Sequence, residues 1–241
     1  MPWRKRGLTL GAWLALAFSA LSVLLTLVLT LVVERTASSG VAQGIGLNLA
    51  QLATQTASRM DRGMFERYRE VQLMAARVDR LPEHGLVHAE LDAAKASYRF
   101  YAWLGATNAE GVVQAASGNL LVGQNVAQRP WFKQARSGNN LGDVHEALLL
   151  QKVLAPNATE PLRFYDVAFP LRNGGVLGAH ISWDWAADLR QAMFGVGARS
   201  EGVEPLVVSA QGKVLLGPRD LEGTQLKLAS LDRATAGERG Y

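Results

Sequence analysis

The sequence opens with a stretch that carries no charge. From Gly7 to Val33 every side chain is apolar, small or hydroxylic, between the basic cluster Arg4, Lys5, Arg6 and the pair Glu34-Arg35. Wound as a helix, that run reaches about 40 Å, against roughly 30 Å of bilayer hydrocarbon. It predicts a transmembrane helix over 7–33, with residues 1–6 on the cytoplasmic side because basic flanks stay there. A cleaved signal peptide is the competing reading. The small residues Ala37, Ser38, Ser39 and Gly40 suit cleavage, but a signal peptide's apolar core is only about 7–15 residues long. No second apolar span of comparable length occurs in the sequence.

Beyond the span the pattern becomes helical. Leu49, Leu52, Thr56, Met60, Met64, Tyr68, Val71, Ala75 and Val78 recur every three or four positions, which forms one stripe on a long helix predicted over 34–81. Gly44 and Gly46 weaken its early turns, and Pro82 follows its end. The stripe reads as a face packed on its own domain or as the seam of a homodimer, and the two are compatible.

The period then shifts toward two. A second helical piece at 86–97 leads into RFYAWLGAT (99–107), a strand rich in aromatics. NAEG (108–111) is a turn and VVQAAS (112–117) the returning strand. A short helix follows at 129–137, with Pro130 at its first position, where a missing N–H is harmless. RFYDVAFPL (163–171) and VLGAHISW (176–183) form a hairpin about RNGG (172–175). A helix at 184–194 closes this unit. The class is therefore α+β, with an antiparallel sheet.

Part of the pattern repeats. AEGVV (109–113) returns as AQGKV (210–214), LVGQNV (121–126) as LEGTQL (221–226), and ARSG (135–138) as ATAG (234–237). Constant order at a nearly constant offset marks an internal repeat. The organisation expected is one complete module over 82–194, a linker at 195–203, and an incomplete second module at 204–241. That incompleteness predicts a fragment of a longer protein.

Composition narrows the function. Hydrophobic residues make up 49% and charged residues 19%, with a net charge of +4 and no cysteine. The absence of cysteine excludes disulfides, zinc–thiolate sites and cysteine nucleophiles. No basic run sits outside the apolar span's flank, which argues against nucleic acid as a partner. No G-x-S-x-G elbow accompanies the Asp, His and Ser residues, so no catalytic residue is assigned and no enzyme activity is predicted for these residues.

QRPWF (128–132) places Arg129, Trp131 and Phe132 at one helix mouth. A helix N-terminus favours an anion, a guanidinium grips a carboxylate or phosphate in a planar fork, and rings exclude water. The competing reading pairs Arg129 with a local carboxylate and uses both rings as core. In the late hairpin, pairing Arg172 with Val176 puts Tyr165, Val167 and Phe169 on an apolar face with Ala179, Ile181 and Trp183. Asp166, Ala168, His180 and Ser182 then share the other face. Asp143 and His145 alternate on a strand-like stretch, and with His180 they offer metal-ligand types. Their spacing is not diagnostic, so no metal and no cofactor is assigned.

Three stretches together resemble a known family: NNLGDVHEALLL (139–150), QRPWF (128–132) and LGAHISWDWA (177–186). With a membrane anchor, a long helix and a repeated PAS-like sheet, they resemble the double Cache sensor domain of bacterial transmembrane receptors, of the kind joined to diguanylate cyclases or histidine kinases. The resemblance spans about residues 10–241. It implies a receptor in the cell inner membrane with a periplasmic, small-molecule-binding sensor region, working as a homodimer. Its amino-acid-binding branch carries a Tyr, then Arg-x-Trp-Tyr, then a late Asp. This chain keeps Arg129 and Trp131, has Phe132 for the second Tyr and Gln124 near the first, and has His180 where the Asp would hold an ammonium. A neutral imidazole binds an ammonium less well than a carboxylate does, which counts against an amino acid as the ligand. The ligand contacts expected are Arg129, Trp131, Phe132, Asp143, Asp166 and His180. A dimerisation or protein-interaction module without a small-molecule ligand is the alternative.

Overall fold

A computed structural model describes residues 9–158, 161–194 and 203–237. The cytoplasmic segment expected at 1–6 and residues 195–202 of the expected linker lie outside these. The chain divides into two compact units between Thr54 and Gln55.

The apolar run and the stripe that follows it are one continuous helix, α1 (Leu10–Val78), of 69 residues. No proline interrupts it, and the early glycines do not break it. Its first part is long and apolar enough to cross a membrane, and no residue of that stretch is buried. The hydroxyls of Thr26, Thr30 and Thr36 each donate to the carbonyl four residues back, at 2.8–2.9 Å. Thr26 and Thr30 lie within the apolar run, so their hydroxyls are satisfied there without water, as a membrane-crossing helix requires.

In the second unit, Met60, Val71, Met74, Ala75 and Val78 of α1 are buried against an antiparallel sheet. Helix α2 (His84–Ser97) adds Val87 and Leu91 to the same side. The sheet contains β1 (Tyr101–Thr107), β2 (Val113–Ala116), β3 (Asn140–Leu141), β4 (His145–Glu146), β5 (Arg163–Pro170) and β6 (Val176–Ser182). Its order is β2-β1-β6-β5-β3, with β4 also paired to β5. Two short helices, α3 (Pro130–Ala135) and α4 (Leu148–Leu154), lie in the chain between β2 and β5, and α5 (Asp184–Phe194) follows β6. The stripe is therefore a core face along its C-terminal half: Met60 is buried, and Tyr68 packs its ring 4.9 Å from Phe169.

The β5–β6 register corrects the expected one by two residues. Pro170, not Arg172, pairs with Val176, so Asp166 faces His180 and Phe164 faces Ser182. Because side chains alternate with period two, an even shift leaves each residue on its expected face. Tyr165, Val167, Phe169, Ala179, Ile181 and Trp183 do share one core with α1.

The repeat holds at the level of single hydrogen bonds. Strands β7 (Val207–Val208) and β8 (Val214–Leu216) form a second, two-stranded sheet, and α6 (Ala229–Thr235) follows. Val126 N donates to Gly111 O, as Leu226 N does to Gly212 O; Gly123 N donates to Val113 O, as Gly223 N does to Val214 O. Gly111 and Gly212 both take a positive φ, of 80° and 90°, which explains why glycine returns at this position. The two sheets are tied by Arg163, which donates to Leu215 O at 2.7 Å and pairs with Glu222 at 3.1 Å, and by Trp183 Nε1, which donates to Leu215 O at 3.0 Å.

Tyr165 lies fully buried in the α1-facing core, and its hydroxyl has no hydrogen-bond partner among the described residues. Burial raises the phenol's pKa, since the ionised form would lose its water. The folded state then keeps a proton that the unfolded chain releases near pH 10. This contribution is intact below that pH and is lost as the pH rises beyond it. Tyr165→Phe removes an unpaired buried hydroxyl. It is expected to leave stability at pH 7 within about 1 kcal/mol or to raise it, and to lessen the loss above pH 10. Urea unfolding at the two pH values checks this. A loss above about 2 kcal/mol at pH 7 would show that the hydroxyl has a partner.

Candidate functional site

The face of the sheet away from α1 carries a second core of Trp103, Val113, Ala116, Phe132, Phe164, Ala168 and their neighbours. Beside it opens a cavity of about 520 Å³. Arg129, Trp131, Asp143, Asp166 and His180 line it, together with Trp103, Gln134, Asn140, His145 and Glu146. Five of the six expected contacts are thus brought to one cavity. Phe132 is not among its lining residues. It is buried in the adjoining core, edge-on to Trp131 with centroids 6.0 Å apart. On a short helix, neighbouring residues point about 100° apart, so two successive rings cannot both face one cavity. Gln124 and Ser182 do not line it either; Ser182 Oγ accepts from Asp184 N at 3.2 Å.

Each wall has a local cause. Pro130 stands at the start of α3, and Arg129 before it is extended, as a residue preceding proline is biased to be. Arg129 is exposed, and among the described residues it forms no ion pair. Helix α3 has only six residues, so its dipole is weak and the guanidinium is the stronger anion-binding group here. Trp131 rests on the sheet at Gly178, where an added Cβ would come within 2.7 Å of the indole. His180 stands among rings, 5.3 Å from Trp103 and 5.8 Å from Trp131.

Trp103 was not legible from alternation, which would set Tyr101 and Trp103 on one side. The pairing with β6 shifts between them: Tyr101 faces Ile181, while Trp103 faces His180. That bulge turns Trp103 to the cavity side, where its Nε1 donates to Leu120 O at 2.9 Å. Asn140 and Glu146 were missed as well. They come from strands of two residues, too short to show a period.

Asp166 is the polar centre of the floor. Its Oδ1 contacts His180 Nδ1, and its Oδ2 lies 3.4 Å from His145 Nε2. Asp143 is turned elsewhere: its carboxylate accepts from Val144 N at 2.8 Å, and its carbonyl lies 3.0 Å from His145 Nδ1. The histidines expected beside Asp143 thus gather around Asp166 instead, because β4 and β6 both pair with β5 and Asp166 lies between them.

No protein-family model matches the sequence, and none of the curated proteins does. Solved structures do match the fold. The ligand-binding domain of the Pseudomonas aeruginosa amino acid chemoreceptor PctC, in complex with GABA, superposes with a TM-score of 0.58 at 19% identity, covering 74% of this chain and 77% of that one. That of PctB from the same organism, in complex with L-Arg, gives 0.57 at 20% identity, over 76% and 75%. An extracellular ligand-binding receptor from Desulfohalobium retbaense gives 0.59 at 13% identity; it covers 77% of this chain, which spans only 34% of that protein. The fold is that of the Cache-type, PAS-like ligand-binding domains of chemoreceptors. At these identities the likeness is one of fold.

The geometry divides the RPWF motif between folding and the cavity. Phe132→Ala should destabilise the chain by about 3 kcal/mol or more, as buried Phe truncations do. Arg129→Ala, at an exposed and unpaired position, should change stability by less than about 0.5 kcal/mol. Chemical denaturation of the two variants checks this. Equal losses would place Arg129 in the folding core.

Proposed function

We propose that this chain is the ligand-sensing region of a bacterial transmembrane signalling receptor and that its cavity binds a small organic anion. The observation that supports the reading is the guanidinium of Arg129, without an ion pair among the described residues, on the wall of a 520 Å³ cavity with Trp131 beside it. A guanidinium grips a carboxylate in two parallel hydrogen bonds, and an indole wall keeps water from competing for them. Asp143, Asp166 and His180 supply polar contacts elsewhere on the same wall. Phe132 supports Trp131 from behind.

In this reading α1 crosses the inner membrane, the sensor region is periplasmic, and the receptor acts as a homodimer. Ligand binding alters signalling to a cytoplasmic diguanylate cyclase or histidine kinase by favouring one of two receptor states, as differential affinity requires. The sensor region itself performs no catalysis. The alternative, a dimerisation or protein-interaction module, is favoured less by an open cavity than it would be by a filled one.

The test is thermal unfolding of the full chain in detergent against a panel of mono- and dicarboxylates, amino acids, purines and phosphates, with Arg129→Ala alongside. A ligand at about a hundred times its dissociation constant adds roughly 2.7 kcal/mol. Stabilisation by one carboxylate class, abolished in Arg129→Ala, is the expected result. Silence across the panel, with Arg129→Ala equally folded, would favour the interaction module.

A further inference from the structure

We propose that His145, Asp166 and His180 form a binding site for a divalent transition-metal ion, represented by Zn²⁺, on the floor of the cavity. Each of the three offers one ligand atom, and these atoms lie within 4.8 Å of one another. Two imidazoles and a carboxylate suit zinc and its first-row neighbours, whereas Ca²⁺ and Mg²⁺ require sets of oxygens. Metal–ligand bonds of about 2.0–2.2 Å around a tetrahedral ion put two ligands roughly 3.4 Å apart. His145 Nε2 and Asp166 Oδ2 stand 3.4 Å apart.

The tautomer of His145 carries the inference further. Its Nδ1 lies 3.0 Å from the Asp143 carbonyl, which can only accept. Nδ1 therefore donates to that carbonyl, which leaves Nε2, 3.4 Å from Asp166 Oδ2, as the ring atom turned toward the carboxylate. An ion between the two would be held by both atoms at once. A ring N–H bonded to a backbone carbonyl is also the usual way a metal-binding histidine is oriented. On the other side, His180 Nδ1 contacts Asp166 Oδ1, and a bound ion would displace the hydrogen they share.

Burial suits the role. The side chains of Asp166 and His180 are 8% and 10% exposed, whereas that of His145 is 41% exposed. An ion held here would be enclosed by the sheet, with three protein ligands and a coordination position left for the cavity side. That position is open to water or to the carboxylate of a bound anion. The site shares the cavity with the proposed anion but does not depend on it.

The experiment uses the full chain in detergent, freed of metal with a chelator and titrated with ZnCl₂ in a calorimeter, with no organic ligand present. Saturable uptake of one ion per chain is expected, unaffected by excess MgCl₂. His145→Gln, at the exposed lip where folding is not at risk, should weaken it by about a hundredfold. His88→Gln removes a surface histidine paired with Asp92 at 3.0 Å and should leave uptake within about twofold of the parent. No saturable uptake, or uptake undiminished by His145→Gln, overturns the site. Anion binding through Arg129 without zinc uptake would sink this inference and leave the sensor reading standing. Zinc uptake in a chain that binds no anion would do the reverse.

Discussion

Cross-strand pairing holds β5 against β6 from Phe164 opposite Ser182 to Pro170 opposite Val176. Both strands are buried on both faces, so each residue of the hairpin belongs either to the α1-facing core or to the cavity side. Alternation then leaves no freedom. If Tyr165, Val167 and Phe169 pack toward α1, Asp166 must point the other way, and its partner across the ladder is His180. A carboxylate there would be costly alone. Its Oδ1 is hydrogen-bonded to His180 Nδ1 across the ladder, and this offsets part of the cost of its burial.

The cavity persists because the elements around it fall short of filling it. Helices α3 and α4 have six and seven residues, and β3 and β4 have two each. Such short pieces cannot cover the sheet as α1 covers its other side. Trp103, turned by the bulge in β1, and Trp131, seated on Gly178, wall the space without closing it. Their bulk fixes the position of His180, which is in ring contact with both.

What the sequence disclosed follows from periodicity. The faces of the hairpin were legible because a strand buried on two sides still alternates polar and apolar residues at Asp166, His180 and their neighbours. The cross-strand partners were not, since a two-residue shift gives the same faces. Trp103 was hidden because a bulge breaks parity locally and leaves no mark in composition. Helix α4 was hidden because it starts at the end of NNLGDVHEALLL, a dozen positions that already hold two tiny strands. The repeat was visible because Gly111 and Gly212 occupy a backbone conformation that restricts the residue type. The fold of α1 was half visible: its two patterns were read as separate elements, although nothing between them ends a helix.

One strand links the cavity to the second sheet. Asp166 of β5 stands at the cavity floor, and Arg163, three residues earlier on the same strand, donates to Leu215 O and pairs with Glu222. Trp183, just past the end of β6, donates to the same carbonyl oxygen. A strand in a sheet does not bend freely between positions so close, because its ladder hydrogen bonds fix both neighbours. Any ligand or ion that moves Asp166 relative to His180 therefore acts on the hairpin that also carries the junction at Leu215. The opposite face of that hairpin packs on α1 through Tyr165, Val167 and Ile181. The register that aims Asp166 into the cavity is thus the same register that joins the cavity to the rest of the unit.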